Sequence, residues 1–228
     1  MAILLNLYIF SSLKIIIMAK LPKGILGPII GIIGNIVGVE RLGVTHIKAR
    51  PKPSLLPPTE KQVAQRARFK FMQQFLLPFK PYFMLGFPNP RNGRTSPNAA
   101  FSLNYRHALK GEYPDFNIDF AALTMSKGSL PRVFGIEWEF TGTDQLELTW
   151  YNHTQGRELP NDQVMLVLYD RQLGKVDGIL GGVKRSAGTC KFTINPQMVG
   201  HSLEMYFSLY SLDRKRVSDS VYLGRLLR

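Results

Sequence analysis

Cysteine is almost missing from this chain. One residue in 228, Cys190, leaves no intrachain disulfide and no cysteine-based zinc site. The four histidines (His46, His107, His153 and His201) stand far apart without a ligand-like neighbour in sequence, so no metal or other cofactor is expected. Acidic residues are scarce in one half only. Residues 1–100 hold 14 Lys+Arg against two acids, Glu40 and Glu60, whereas residues 101–228 hold 15 against 14. Almost all of the formal net charge of +13 therefore sits on the first half, the distribution of a polyanion-facing module joined to a neutral domain. Long uncharged runs are missing as well. The first ends at Lys14 and falls short of the roughly 20 residues that span a bilayer. It has no basic stretch before it and no small-residue cleavage site after it, so it does not read as a secretory signal. Met18 opens MAKLPKG, an ordinary soluble start. Residues 1–17 thus read as a non-native extension, and a cytoplasmic protein without membrane association is expected.

What remains is a chain 45% hydrophobic and 20% charged, the composition of a folded protein. Residues 24–39, GILGPIIGIIGNIVGV, carry glycine at spacings of three and four. On a helix these would share a face, as in packed membrane helices. Pro28 and the roughly 1 kcal/mol penalty per glycine favour an extended segment running into a β-hairpin instead. Asn35–Glu40 is one expected strand, the Arg41-Leu42-Gly43 region the turn, and Val44–Arg50 the other strand. Alternation puts Val44, His46, Lys48 and Arg50 on one face of that second strand. The connector PKPSLLPP (51–58), which contains Lys52, is extended and semi-rigid.

Thr59 with Gln62 three residues on is a capping box, so a helix starts there and ends near Leu77, before Pro78. Its expected core stripe is Val63, Ala64, Ala67, Phe71 and Phe75. Arg66 and Lys70 flank one side, Lys61 and Arg68 the other, and Glu60 is the only acid. The i,i+4 pairs of a merely solvated helix are absent. Residues 78–95 read as irregular, and a second helix runs from Ser96 to near Lys110, with Gly111 as its stop.

From about residue 117 the hydrophobic period becomes two. Seven short strands are expected at Arg132–Thr141, Gln145–Trp150, Gln163–Asp170, Val176–Leu180, Thr189–Ile194, Leu203–Ser211 and Val217–Leu223. The fold class is α+β. A basic hairpin-plus-two-helices region over 18–116 precedes an antiparallel β-sandwich of fibronectin type III or immunoglobulin type over 117–228, with Trp150 in its core. Residues 120–228 are expected to fold alone.

The segments KGILGPIIG (23–31), TEKQVAQRARF (59–69), NAAFSLNYRHALKGEYPDF (98–116), SKGSLP (126–131), RSAGT (185–189) and VSDSVYLG (217–224) occur in that order. Together they resemble an uncharacterised bacterial family of Bacteroidota type, a domain of unknown function, over residues 18–228. The resemblance implies no activity, cofactor or catalytic residue, and implies a start near Met18.

Catalytic patterns are missing. GILGGVKRSAG (178–188) lacks the Lys-Ser/Thr order of a phosphate loop. Glu137 and Glu139 share a strand face as solvated carboxylates, Cys190 reads as a packed thiol, and Asn152-His153-Thr154 is a sequon without a secretory context. No enzyme is expected. A basic, aromatic-interleaved first half remains. Lys48, Arg50, Lys52, Lys61, Arg66, Arg68, Lys70, Lys80, Arg91 and Arg94 are the candidate contacts to nucleic acid or another polyanion, with Phe69, Tyr82 and Phe83 as stacking candidates. The second reading is a structural, self-assembling protein, surface-associated or virion-like. Its glycine-rich hairpin and sheet edges would make the contacts of a homo-oligomer.

Overall fold

The computed structural model describes residues 19–24, 27–88, 90, 93–152 and 160–227. Residues 1–17, Arg91 and the sequon residues His153 and Thr154 lie outside them. The chain divides between Pro57 and Pro58 into two compact units.

The first unit is a three-stranded antiparallel sheet of β1 (Gly31–Ile33), β2 (Ile36–Arg41) and β3 (Val44–Ala49), in that order. From Ile30 on the glycine-rich segment is strand and tight turn, and Lys20 and Ile30 exchange backbone hydrogen bonds of 2.7 and 2.9 Å. Gly38 is required by a close approach, because a Cβ there would run into the Ile29 carbonyl. Arg41 pairs with Val44 across a two-residue turn, Leu42-Gly43, and both turn residues have positive φ, 52° and 77°. That is the backbone twist a tight hairpin prefers, but leucine is a poor fit to it. Leu42→Asn is expected to strengthen the hairpin by up to about 1 kcal/mol, measured as slower amide exchange in β2 and β3.

The second unit begins with α1 (Glu60–Leu76), whose capping box is formed. Gln62 N–H donates to Thr59 Oγ1, and Thr59 N–H donates to Gln62 Oε1. Its buried residues are Met72 and Leu76, with Phe71 and Phe75 packed beside them, while Val63 is exposed. The core stripe is therefore turned toward Met72 and Leu76 and confined to the second half of the helix. Beyond Pro78 the chain stays helical where irregular structure is expected. A 3-10 turn over Leu77–Phe79 leads into α2 (Lys80–Gly86). Each proline falls in the first turn of its helix, where no N–H is needed. The segment also buries Phe79, Tyr82 and Phe83. Next come α3 (Ser96–His107) and a small hairpin of β4 (Leu109–Gly111) and β5 (Phe116–Ile118). Buried Asn104 fixes α3 in place: its amide donates to the carbonyls of Ala100 and Thr124 and accepts from Thr124 N–H at 2.7 Å.

The seven expected strands are present with shifted ends: β6 (Phe134–Phe140), β7 (Gln145–Tyr151), β8 (Gln163–Asp170), β9 (Lys175–Lys184), β10 (Thr189–Thr193), β11 (Leu203–Tyr210) and β12 (Val221–Leu226). They form two antiparallel sheets, of order β10-β7-β6 and β12-β11-β8-β9. Leu146, Leu148, Trp150 and Cys190 of the first sheet meet Val164, Leu166, Leu168, Met205 and Phe207 of the second in one hydrophobic cluster. The rings of Trp150 and Phe207 lie 5.4 Å apart. On the opposite face of the four-stranded sheet, Met165, Val167, Tyr169, Tyr206 and Tyr210 form a second cluster with Met72, Leu76, Phe79, Tyr82 and Phe83 of the helices. Strands β8 and β11 are thus buried on both faces. The change of period near residue 117 separates element types, and the helices and strands on either side of it share a core.

Candidate nucleic-acid interface

Helix α1 holds four of the basic candidates, and its geometry sorts them into two pairs. Arg66 and Lys70, one turn apart, are exposed on the solvent face. Lys61 and Arg68, two turns apart, lie on the core-facing side, where the first half of α1 reaches past its own buried residues. There they line an open cleft of about 840 Å³, with Pro58, Glu60, Gln65, Glu112, Tyr113 and Phe116 among its walls. Two acids balance two cations in that cleft, so the lining itself does not select an anion. The charge excess sits on the outer face.

Arg68 is held in position without an acid. Its guanidinium lies 5.1 Å from the Tyr105 ring centroid, a cation–π contact, and the Tyr105 hydroxyl accepts a 2.9 Å hydrogen bond from Gln65 Nε2. Phe69 is 48% exposed; its ring lies 4.8 Å from Phe101, which in turn stacks on Tyr105 at 5.4 Å and 23°. This half-open aromatic row on α1 and α3 is the surface a nucleobase could extend. Phe101 and Tyr105 were legible only as an i,i+4 pair within a helix, and their pairing with Phe69 depends on the packing of α3 against α1. Lys80 is exposed and lines a smaller hollow of about 190 Å³ together with Phe69, Gln73 and Phe101. Arg94 is exposed, and its guanidinium donates to Ser102 Oγ at 3.4 Å.

The other two stacking candidates are corrected. Tyr82 is 7% exposed and Phe83 1%, both inside the helix–sheet core, so neither ring offers a face to a ligand. Burial, with Asp177 nearby, pushes the Tyr82 hydroxyl up to about 12. Lys48, Arg50 and Lys52 are exposed in the first unit, on β3 and just beyond it.

Ion pairing separates the two halves of the chain. Among the described residues every salt bridge joins groups at or beyond Lys127: Lys127–Asp219, Arg171–Glu204, Arg185–Asp162, Lys191–Glu147, His201–Asp170 and Arg225–Glu204. None of the described basic candidates has an acidic partner. Glu137 and Glu139 are exposed on the three-stranded sheet, and burial raises the Cys190 thiol to about 11, far from a thiolate.

Three of the quoted segments carry side chains with structural hydrogen bonds. In SKGSLP and VSDSVYLG, Ser126 Oγ donates to the Ser218 carbonyl, Met125 N–H to Ser220 Oγ, and Gly128 N–H to Asp219. Leu209 N–H on β11 donates to Ser218 Oγ at 2.9 Å. In RSAGT, Arg185 reaches the Pro131 carbonyl of SKGSLP at 2.6 Å. These side chains satisfy backbone groups, those of Ser218 and Leu209 buried, which gives those residue types a reason without chemistry.

Among the described residues no helix is long and apolar enough to cross a membrane. A family described as a family of unknown function (DUF6266) matches residues 28–224. No curated protein matches the chain.

Proposed function

We propose that this chain, which belongs to the DUF6266 family of unknown function, is a non-enzymatic binding protein whose basic first half engages nucleic acid. The observation that carries this reading is the absence of any acidic partner for the described cations of that half, whereas Lys127, Arg171, Arg185, Lys191 and Arg225 beyond it each pair with an acid. Unpaired, exposed Lys and Arg are free to replace the counterions of a phosphate backbone. The Phe69–Phe101–Tyr105 row beside them favours single strands, on which bases stack without sequence preference. We read the seven strands as a sandwich of fibronectin type III kind that serves as scaffold. Its first, second and fifth strands form one sheet, and the seventh, sixth, third and fourth form the other.

The test is binding of labelled single- and double-stranded DNA and RNA by the purified protein. If only Arg66 and Lys70 of the outer face each neutralise one phosphate, affinity should fall about 7- to 12-fold between 50 and 200 mM salt, and about 50- to 150-fold if Lys61 and Arg68 also leave their cleft to do so, at a slope of about 0.7–0.9 per phosphate. Gln at Lys61, Arg66, Arg68 and Lys70 keeps helix propensity nearly intact. That variant should bind more weakly with a much shallower salt slope, while Lys175→Gln with Lys184→Gln changes little. An absence of binding to every probe at about 50 mM salt, where phosphate contacts are strongest, would sink the reading.

A further inference from the structure

Among the described residues the sheet β1–β3 has no core of its own. Neither hydrophobic cluster includes a residue of its unit, and Ile33, Ile36, Val39, Leu42, Val44 and Ile47 are all exposed. A small sheet is stable in water only when an apolar face is covered. The register sorts these aliphatics between two faces. Lys48 lies opposite Val37, His46 opposite Val39 and Val44 opposite Arg41, so one face carries Val39 and Val44 among cations, while Ile33, Ile36 and Ile47 lie on the other face with Glu40.

The face of β6–β7–β10 turned away from the Trp150 cluster has the opposite character. Glu137 lies opposite Thr149, Glu139 opposite Glu147, and Glu147 opposite Lys191. Only Glu147 of these acids has a cation partner among the described residues, Lys191 at 3.5 Å. At one end of the same face Phe134 and Tyr151 lie opposite each other, 64% and 72% exposed. Large rings beside unpaired carboxylates match aliphatics beside unpaired cations, both in apolar character and in sign of charge.

We propose that the β1–β3 sheet of one copy docks on the outer β6–β7–β10 face of a second copy. Its aliphatics would cover Phe134 and Tyr151, and Lys48 with its neighbour Arg50 would meet Glu137 and Glu139. The two patches are different surfaces, so the contact is head-to-tail, and repetition gives rings or filaments instead of a closed dimer. Lys48 and Arg50 are shared with the nucleic-acid reading, but the salt-slope test of that reading rests on the α1 cations, which take no part here, so the two can fail separately.

The experiment is sedimentation velocity of nuclease-treated, nucleic-acid-free protein over a wide concentration range. At about 50 mM salt the protein should grow beyond dimer as concentration rises, and about 500 mM salt should shift it toward monomer, since rim charges are screened. Lys48→Glu with Arg50→Glu, and separately Glu137→Lys with Glu139→Lys, should each weaken self-association at least about tenfold, because like charges then face each other. All four positions are exposed on strands or just beyond one, and unchanged circular dichroism would show that both variants fold. Mixing the two variants should restore association, since each supplies the face the other has reversed. A wild-type monomer at every concentration would overturn the proposal, and is the result expected if the sheet covers a face of its own chain. Variants that associate as the wild type does, or a mixture that stays monomeric, would overturn it as well.

Discussion

Expressed from residue 117 onward, the chain should lose its cooperative thermal melt, whereas a chain begun at Pro58 should keep it. The reason is the second face of the four-stranded sheet. Met165, Val167, Tyr169, Tyr206 and Tyr210 are buried there against Met72, Leu76, Phe79, Tyr82 and Phe83. Leaving a side chain of that size in water costs about 1.5–3 kcal/mol, so five amount to about 8–15 kcal/mol. A whole domain is stable by only about 5–15 kcal/mol. Circular dichroism melts of the two fragments decide the matter, with dye binding as a second readout of exposed apolar surface. A sharp melt of 117–228 without dye binding would show that the strands stand alone, as their spacing suggests.

Arg185→Ala is expected to destabilise the protein by about 3–5 kcal/mol, the range for removing one partner of a buried ion pair. Arg185 Nε lies 3.2 Å from Asp162 Oδ2, and both side chains are buried. The same residue joins four segments. Its guanidinium reaches the Pro131 carbonyl, its backbone N–H donates to the Asp162 carbonyl at 2.7 Å, and its own carbonyl accepts from Trp150 Nε1 at 2.9 Å. Alanine would remove the guanidinium that lies against the buried Asp162 carboxylate. Denaturant unfolding of Arg185→Ala, Asp162→Leu and the double variant Arg185→Met/Asp162→Leu should show the double variant more stable than Arg185→Ala. Its apolar side chains leave no uncompensated charge. A loss below about 1 kcal/mol for Arg185→Ala, within the range of an exposed pair, would mean that the pair does not hold these segments.

The candidate interface was legible in charge and less so in rings. That Lys61, Arg66, Arg68 and Lys70 lack acidic partners follows from composition, because a helix with one acid cannot pair four cations within itself. Which aromatic rings are open did not follow. Phe69, Tyr82 and Phe83 sit in similar basic, aromatic stretches, yet Phe69 ends on α3's outer side while the other two enter the core. The difference lies in the 3-10 turn and α2, whose prolines, Pro78 and Pro81, read as breakers but stand at helix starts.

Local chemistry alone determined the β2–β3 hairpin, the seven strands beyond residue 130 and the start of α1, because alternation, turn residues and capping boxes act over a few residues; it missed β1, β5 and β4, the last of which takes the place of the expected final turn of α3. The tertiary structure decided how these elements share cores. The run Val164-Met165-Leu166-Val167-Leu168-Tyr169 breaks alternation and signals a strand buried on both faces, but nothing in it names what covers the second face. The helices cover it, through contacts between residues some ninety positions apart, such as Phe75 with Tyr169 at 5.4 Å. Apolar burial is non-directional: it requires that the face be covered and leaves the choice of partner to the whole chain.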